Sequence, residues 1–90
     1  MIVCRFTLPK RHIHFEATIA HRFGGFTRWE AVGGWSGPDG LEIEPMAVYE
    51  VAVHQPEVQN LKLLVYLEAK TQGEKALYFV TGINAEVIEL

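Results

Sequence analysis

Ile2, Cys4, Phe6 and Leu8 alternate with Val3, Arg5 and Thr7, the period-two pattern of a strand. Pro9, which has no N–H to give a ladder, closes it. Residues 12–19, HIHFEATI, fit two templates. Ile13, Phe15, Ala17 and Ile19 alternate as in a strand, while Phe15, Ile19 and Phe23 recur every four residues as in a helix. The end of the segment selects the helix. Gly24 and Gly25 follow the last periodic residue, where a left-handed C-cap favours glycine, and His21 and Arg22 occupy the last turn, where the helix dipole favours cations.

The next stretch, FTRWEAV, is aromatic and β-branched enough for a strand, which Gly33 and Gly34 are expected to kink or bulge before Trp35. SGPDG reads as a turn, the proline presetting φ and Asp-Gly tolerating the reversal. LEIEPMAVYEVAV follows as a long strand with Leu41 and Ile43 inward, Glu42 and Glu44 outward, and a bulge expected at Pro45. His54-Gln55-Pro56-Glu57 opens a second helix, with Pro56 at the first helical position. Val58, Leu61, Val65 and Ala69 form its core face and Gly73 ends it. ALYFVT is a further strand and AEVIEL a short terminal one. The order β-α-β-β-α-β plus a strand predicts an α+β fold: a single ferredoxin-like sandwich over residues 1–90, its antiparallel sheet carrying both helices on one face.

Composition narrows the class. With 49% apolar and 21% charged residues, the 90-residue chain is one folded domain. MIVCRFTLPK is not expected to be a signal peptide, since Arg5 and Pro9 break its apolar run. No apolar run, the five residues of Leu63–Leu67 included, is long enough to span a bilayer, so no membrane partner is expected. Cys4 is the lone cysteine and alternates with Ile2 and Phe6, which predicts an inert core thiol and a cytoplasmic location. Charge is divided along the chain. Residues 1–35 hold five cations against two acids, a balance of +3, and residues 36–90 hold three lysines against nine acids, a balance of −6. A net acidic domain argues against nucleic acid as a partner, because phosphate neutralisation supplies most of that affinity.

The strings HRFGGFT, GGW, DG, EP and VYEVAV resemble a family of small uncharacterised proteins from bacteria and their phages. That family's pattern is a helix ending in Arg-Phe-Gly-Gly-x-Thr, a hairpin with Gly-x-Trp, and Glu-Pro before a strand. GEKALYFVTGINAEVIEL is similar to its closing strands, and the likeness covers residues 14–90, with a shorter N-terminal segment as a departure. The resemblance supports the fold and implies no activity.

Catalytic and cofactor chemistry find little purchase. A phosphate loop opens a helix, whereas Gly24 and Gly25 close one, where the dipole repels anions. On a helix His12 and His14 point about 200° apart and His14 and His21 lie about 10 Å apart, so neither pair shares a metal ion. No nucleophile–base spacing stands out, so neither cofactor nor metal is expected. What remains is surface. His14, His21 and Arg22 share a helical face with Thr18 and form a basic patch suited to an acidic partner. The second helix carries Leu63 and Leu67 beyond its core stripe, and the uncovered sheet face is expected to present Trp29, Trp35, Tyr49 and Tyr78. These surfaces predict a small non-enzymatic interaction module, a homodimer with a possible further protein partner. If phage-borne, it would be an accessory protein that binds and modulates a host protein. The alternative is a small-molecule binding protein using the aromatic face or a dimer cleft, and an enzyme ranks third.

Overall fold

The computed structural model describes residues 1–82 and 84–90, over 84–87 the backbone alone. The chain runs β1 (Ile2–Leu8), α1 (Ile13–Phe23), β2 (Thr27–Gly37), β3 (Gly40–Val53), a 3-10 turn (Gln55–Glu57), α2 (Val58–Thr71), β4 (Ala76–Thr81) and β5 (Asn84–Glu89). The result is an α+β architecture: a five-stranded antiparallel sheet ordered β2-β3-β1-β4-β5, with two helices.

Strand alternation divides the sheet into two faces. Cys4, Phe6 and Leu8 point one way with Ala47, Tyr49, Val51, Val53, Leu77 and Phe79, and all are buried. Phe15 and Ile19 of α1 and Val58, Leu61, Val65 and Ala69 of α2 join the same core, so both amphipathic stripes meet one face of the sheet. The α2 stripe is the one its sequence period specifies. At the centre, Tyr49, Phe6 and Phe79 are register partners across β3, β1 and β4, and their rings stack at 5.2 and 6.0 Å. Phe15 meets Phe6 and Tyr49 edge-on at 6.1 and 5.9 Å, which ties α1 to that row. Each such pair is worth about 0.5–1.5 kcal/mol beyond its burial.

Residues 13–23 are helical, and Gly24 at φ 94° caps them, its N–H donating to the Ala20 carbonyl at 3.0 Å. The α2 terminus uses a fuller device. Gly73 at φ 81° sends its N–H to Lys70 O, and Glu74 sends its own to Ala69 O, the paired bonds of a Schellman motif.

Three strand expectations need correction. The β2–β3 pairing is unbroken from Thr27↔Glu50 to Gly37↔Gly40, so neither Gly33-Gly34 nor Pro45 forms a bulge. Pro45 is accommodated because β1 pairs with β3 no further than Leu8↔Ala47, which leaves one side of β3 open at the proline. The same fact undoes the inward placement of Leu41 and Ile43. They keep the core-side phase, yet both are exposed, because β2 and β3 run on past the end of β1 as a two-stranded arm with no helix over it.

Candidate functional site

The face of the sheet opposite the helices is uncovered. Trp29 and Trp35 project from β2 and Tyr78 from β4, with 41%, 43% and 47% of their surface exposed, and Val3 of β1 is also exposed. Trp29 and Trp35 stand six positions apart on one strand, about 20 Å at about 3.4 Å per residue. Tyr78 lies three strands away, about 14 Å at about 4.8 Å per strand. The centre of this face is charged. Arg5 and Glu50, register partners on β1 and β3, form an ion pair at 2.7 Å, and the Arg5 guanidinium lies 5.8 Å from the Trp29 ring centre. The Trp35 indole N–H donates to Glu42 Oε2 at 2.9 Å. Gly33 serves packing rather than ligand cradling: a Cβ there would stand 3.0 Å from Met46 Cγ and 3.6 Å from the Trp35 ring, so the bare backbone lets both side chains cross it.

Tyr49, expected on this face, is on the other one and fully buried. It shares the phase of Ala47, Val51 and Val53, all core residues. Its hydroxyl donates to Glu16 Oε2 at 2.6 Å. The same oxygen accepts Arg28 Nη1 at 2.8 Å and lies 3.4 Å from Arg11 Nε. Burial alone would raise the Glu16 pKa, but the hydrogen bonds from Tyr49, Arg11 and Arg28 and the charge of Arg28 outweigh it and hold the carboxyl below its ordinary value. Burial, then the hydrogen bond and charge of Glu16, push the Tyr49 phenol well above its ordinary range. This buried carboxylate fastens α1 to β2 and β3. Sequence reading misses it, although Glu16 between Phe15 and Ile19 is a visible clue.

His14, His21 and Arg22 are exposed on α1. Arg22 approaches Glu57 at 3.9 Å and lies over the Phe23 ring at 5.6 Å, while a shallow surface depression runs along Ala17, Thr18, His21 and Arg22. On α2, Leu63 and Leu67 are exposed one turn apart, whereas Leu64 and Tyr66 pack partly against the core. The Arg5–Glu50 pair and Trp29 thus lie together on one face, while the α1 patch and the α2 leucines occupy separate surfaces.

Beside the open face, Val3, Ala52, Phe23, Gly24, Gly25 and Phe26 line much of a surface cleft of about 440 Å³. Among the described residues no three His, Cys, Asp or Glu side chains come together as metal ligands. His12 is engaged elsewhere, with Nδ1 3.2 Å from Glu68 Oε2. Burial pushes the Cys4 thiol above its ordinary pKa, the opposite of what a nucleophile needs. Among the described residues no helix is long and apolar enough to cross a membrane. No family model, curated protein or solved structure matches the chain.

Proposed function

We propose that the protein is a small non-enzymatic interaction module that works as a homodimer and presents its open sheet face to a protein partner. The single observation that carries this reading is the uncovered face itself, with Trp29, Trp35, Tyr78 and Val3 exposed around the Arg5–Glu50 pair. Tryptophan, tyrosine and arginine are the residue types that dominate protein interfaces, since they combine large area with a polar handle. The ion pair adds specificity, because a partner that buries it must supply matching polar groups. The test is affinity capture from the native host with wild type, Trp29→Glu and Leu63→Glu. A partner retained by wild type and Leu63→Glu but lost by folded Trp29→Glu supports the face; equal capture by all three overturns it.

The finer fold assignment belongs to this proposal too. The helices connect β1 to β2 and β3 to β4, and β1 lies between β3 and β4, which supports a ferredoxin-like sandwich extended by β5. The resemblance to bacterial and phage proteins supports an accessory role, and the free, buried Cys4 supports a cytoplasmic setting. A second reading, small-molecule binding, is favoured by the cleft beside Gly24 and Gly25. A compound that raises the melting temperature of wild type but not of Ala52→Trp would support it, and a screen with no such compound would count against it.

A further inference from the structure

β2 is an edge of the sheet, and among the described residues no strand lies along its outer side. All 11 of its residues, Thr27 to Gly37, keep register with β3. The outward row of N–H and C=O groups is therefore unbroken, about 37 Å long at about 3.4 Å per residue. A free row of this kind templates a further strand, and proteins blunt it with a short length, a proline, a lysine or a bulge. β2 has none of these. Its sequence TRWEAVGGWSG holds no proline and no lysine, its pairing has no bulge, and Val32 at its midpoint is 72% exposed.

The side chains identify the strand that fits. About a two-fold axis through Val32, normal to the sheet, a second β2 lies antiparallel to the first over its whole length, the closed geometry of a two-fold dimer. Trp29 of each copy then meets Trp35 of the other on the open face, where directly opposed Cβ atoms stand about 4.5–5.5 Å apart and aromatic pairs gain most. On the opposite face Val32 meets Val32, and with its register partner Pro45 makes a continuous apolar row across the axis. Charge permits this register and opposes its neighbours. Arg28 is turned to Glu16 at 2.8 Å, which leaves Glu30 as the remaining charge on the strand. With the axis at Val32, Glu30 meets Gly34, and the two Glu30 side chains lie four positions apart, about 14 Å at about 3.4 Å per residue. An axis at Ala31 or Glu30 would bring them into diagonal or direct opposition, and one at Gly33 would part Trp29 from Trp35. The full-length pair closes about ten backbone hydrogen bonds, since alternate residue pairs exchange two each, and about ten is what a typical interface carries. Full overlap, matched tryptophans and separated glutamates coincide at one axis, and a second copy is the strand that has them all.

We propose that two copies of this chain pair edge to edge through β2, antiparallel and centred on Val32, so that their sheets join into one and their open faces become continuous. This rests on the homodimer of the proposed function and names its contact. Sedimentation equilibrium tests it on wild type, Val32→Lys, Val32→Glu and an equimolar mixture of the two variants. Wild type is expected to dimerise, and each variant alone to lose at least about tenfold in affinity, since like charges then meet at the axis in place of two valines. The mixture should regain pairing, because opposite charges face each other there, which a folding defect would not allow. Oxidation should also link Val32→Cys copies to one another and Glu30→Cys copies to Gly34→Cys copies, but not Gly34→Cys copies to themselves. A monomeric wild type, a dimer indifferent to both charged variants, or variants without mutual rescue overturns the pairing and leaves partner capture through Trp29 standing. A monomer whose partner capture is lost in Val32→Lys also overturns it, and gives the edge to a strand of that partner. Failure of capture through Trp29 leaves the pairing standing.

Discussion

Replacing Tyr49 with phenylalanine removes one oxygen and leaves the aromatic row in place. The hydroxyl donates to Glu16 Oε2 at 2.6 Å in a buried site. Hydrogen bonds to charged groups are worth about 1.5–3 kcal/mol net, so Tyr49→Phe should destabilise by that amount. A domain of this size holds about 5–13 kcal/mol in total, which makes the loss a large share. At about 4–8 °C per kcal/mol for a small domain, the melting temperature should fall on the order of 10 °C. The pH dependence comes from the direction of the Glu16 shift. A carboxyl whose folded-state pKa lies below its unfolded value stabilises the fold above the unfolded value, near about 4.3 for glutamate. That stability is lost as pH falls through the lower folded value. Tyr49→Phe removes one of the hydrogen bonds that depress the pKa, so its cost should be full at pH 7 and should shrink as pH falls through the folded-state value. Thermal unfolding monitored by circular dichroism at pH 7 and pH 3 measures both. A melting temperature within about 2 °C of wild type at pH 7, or an equal gap at both pH values, would refute the account of Glu16 as a buried, ionised tie.

The backbone and the core give two further expected outcomes. Gly73→Ala should cost about 1–2 kcal/mol in chemical denaturation, because φ 81° is strained for a side chain, whereas Gly34→Ala should be nearly neutral, its Cβ meeting ordinary contacts. Cys4 should resist a thiol-specific chromogenic reagent at pH 8 until the protein unfolds, since the side chain is inaccessible and its pKa is raised; fast labelling of the native state would contradict its burial.

The elements are legible where one signal dominates. The α2 stripe of Val58, Leu61, Val65 and Ala69 repeats at helical spacing, and Gly73 marks its end, so sequence and structure coincide. The ambiguous segment at residues 12–19 is settled by the glycine after it, because a strand has no use for a left-handed cap at Gly24. Trp29, Trp35 and Tyr78 are on the surface as expected, since their neighbours in alternation are known once one strand face is fixed. Tyr49 is misplaced, because its alternation with Val51 and Val53 puts it on the core face. The arm is illegible for a different reason. Period-two alternation says which side of a strand a residue occupies but not whether anything covers that side. Only the length of β1, seven residues against fourteen in β3, leaves Leu41 and Ile43 without a roof.

The central place of β1 has a kinetic consequence. The strand is made first, yet both its neighbours come late: Cys4 pairs with Val51 on one side and Thr81 on the other. At synthesis rates of about 5–20 residues per second, several seconds separate the emergence of β1 from that of its last partner. During that interval Phe6 and Leu8 have no completed core to enter, whereas the β2–β3 hairpin, whose contacts are local, can close early. Folding is therefore expected to wait on β4, with β1 the last to be locked between its neighbours, and a chain stalled before Phe79 would leave one edge of β1 unpaired.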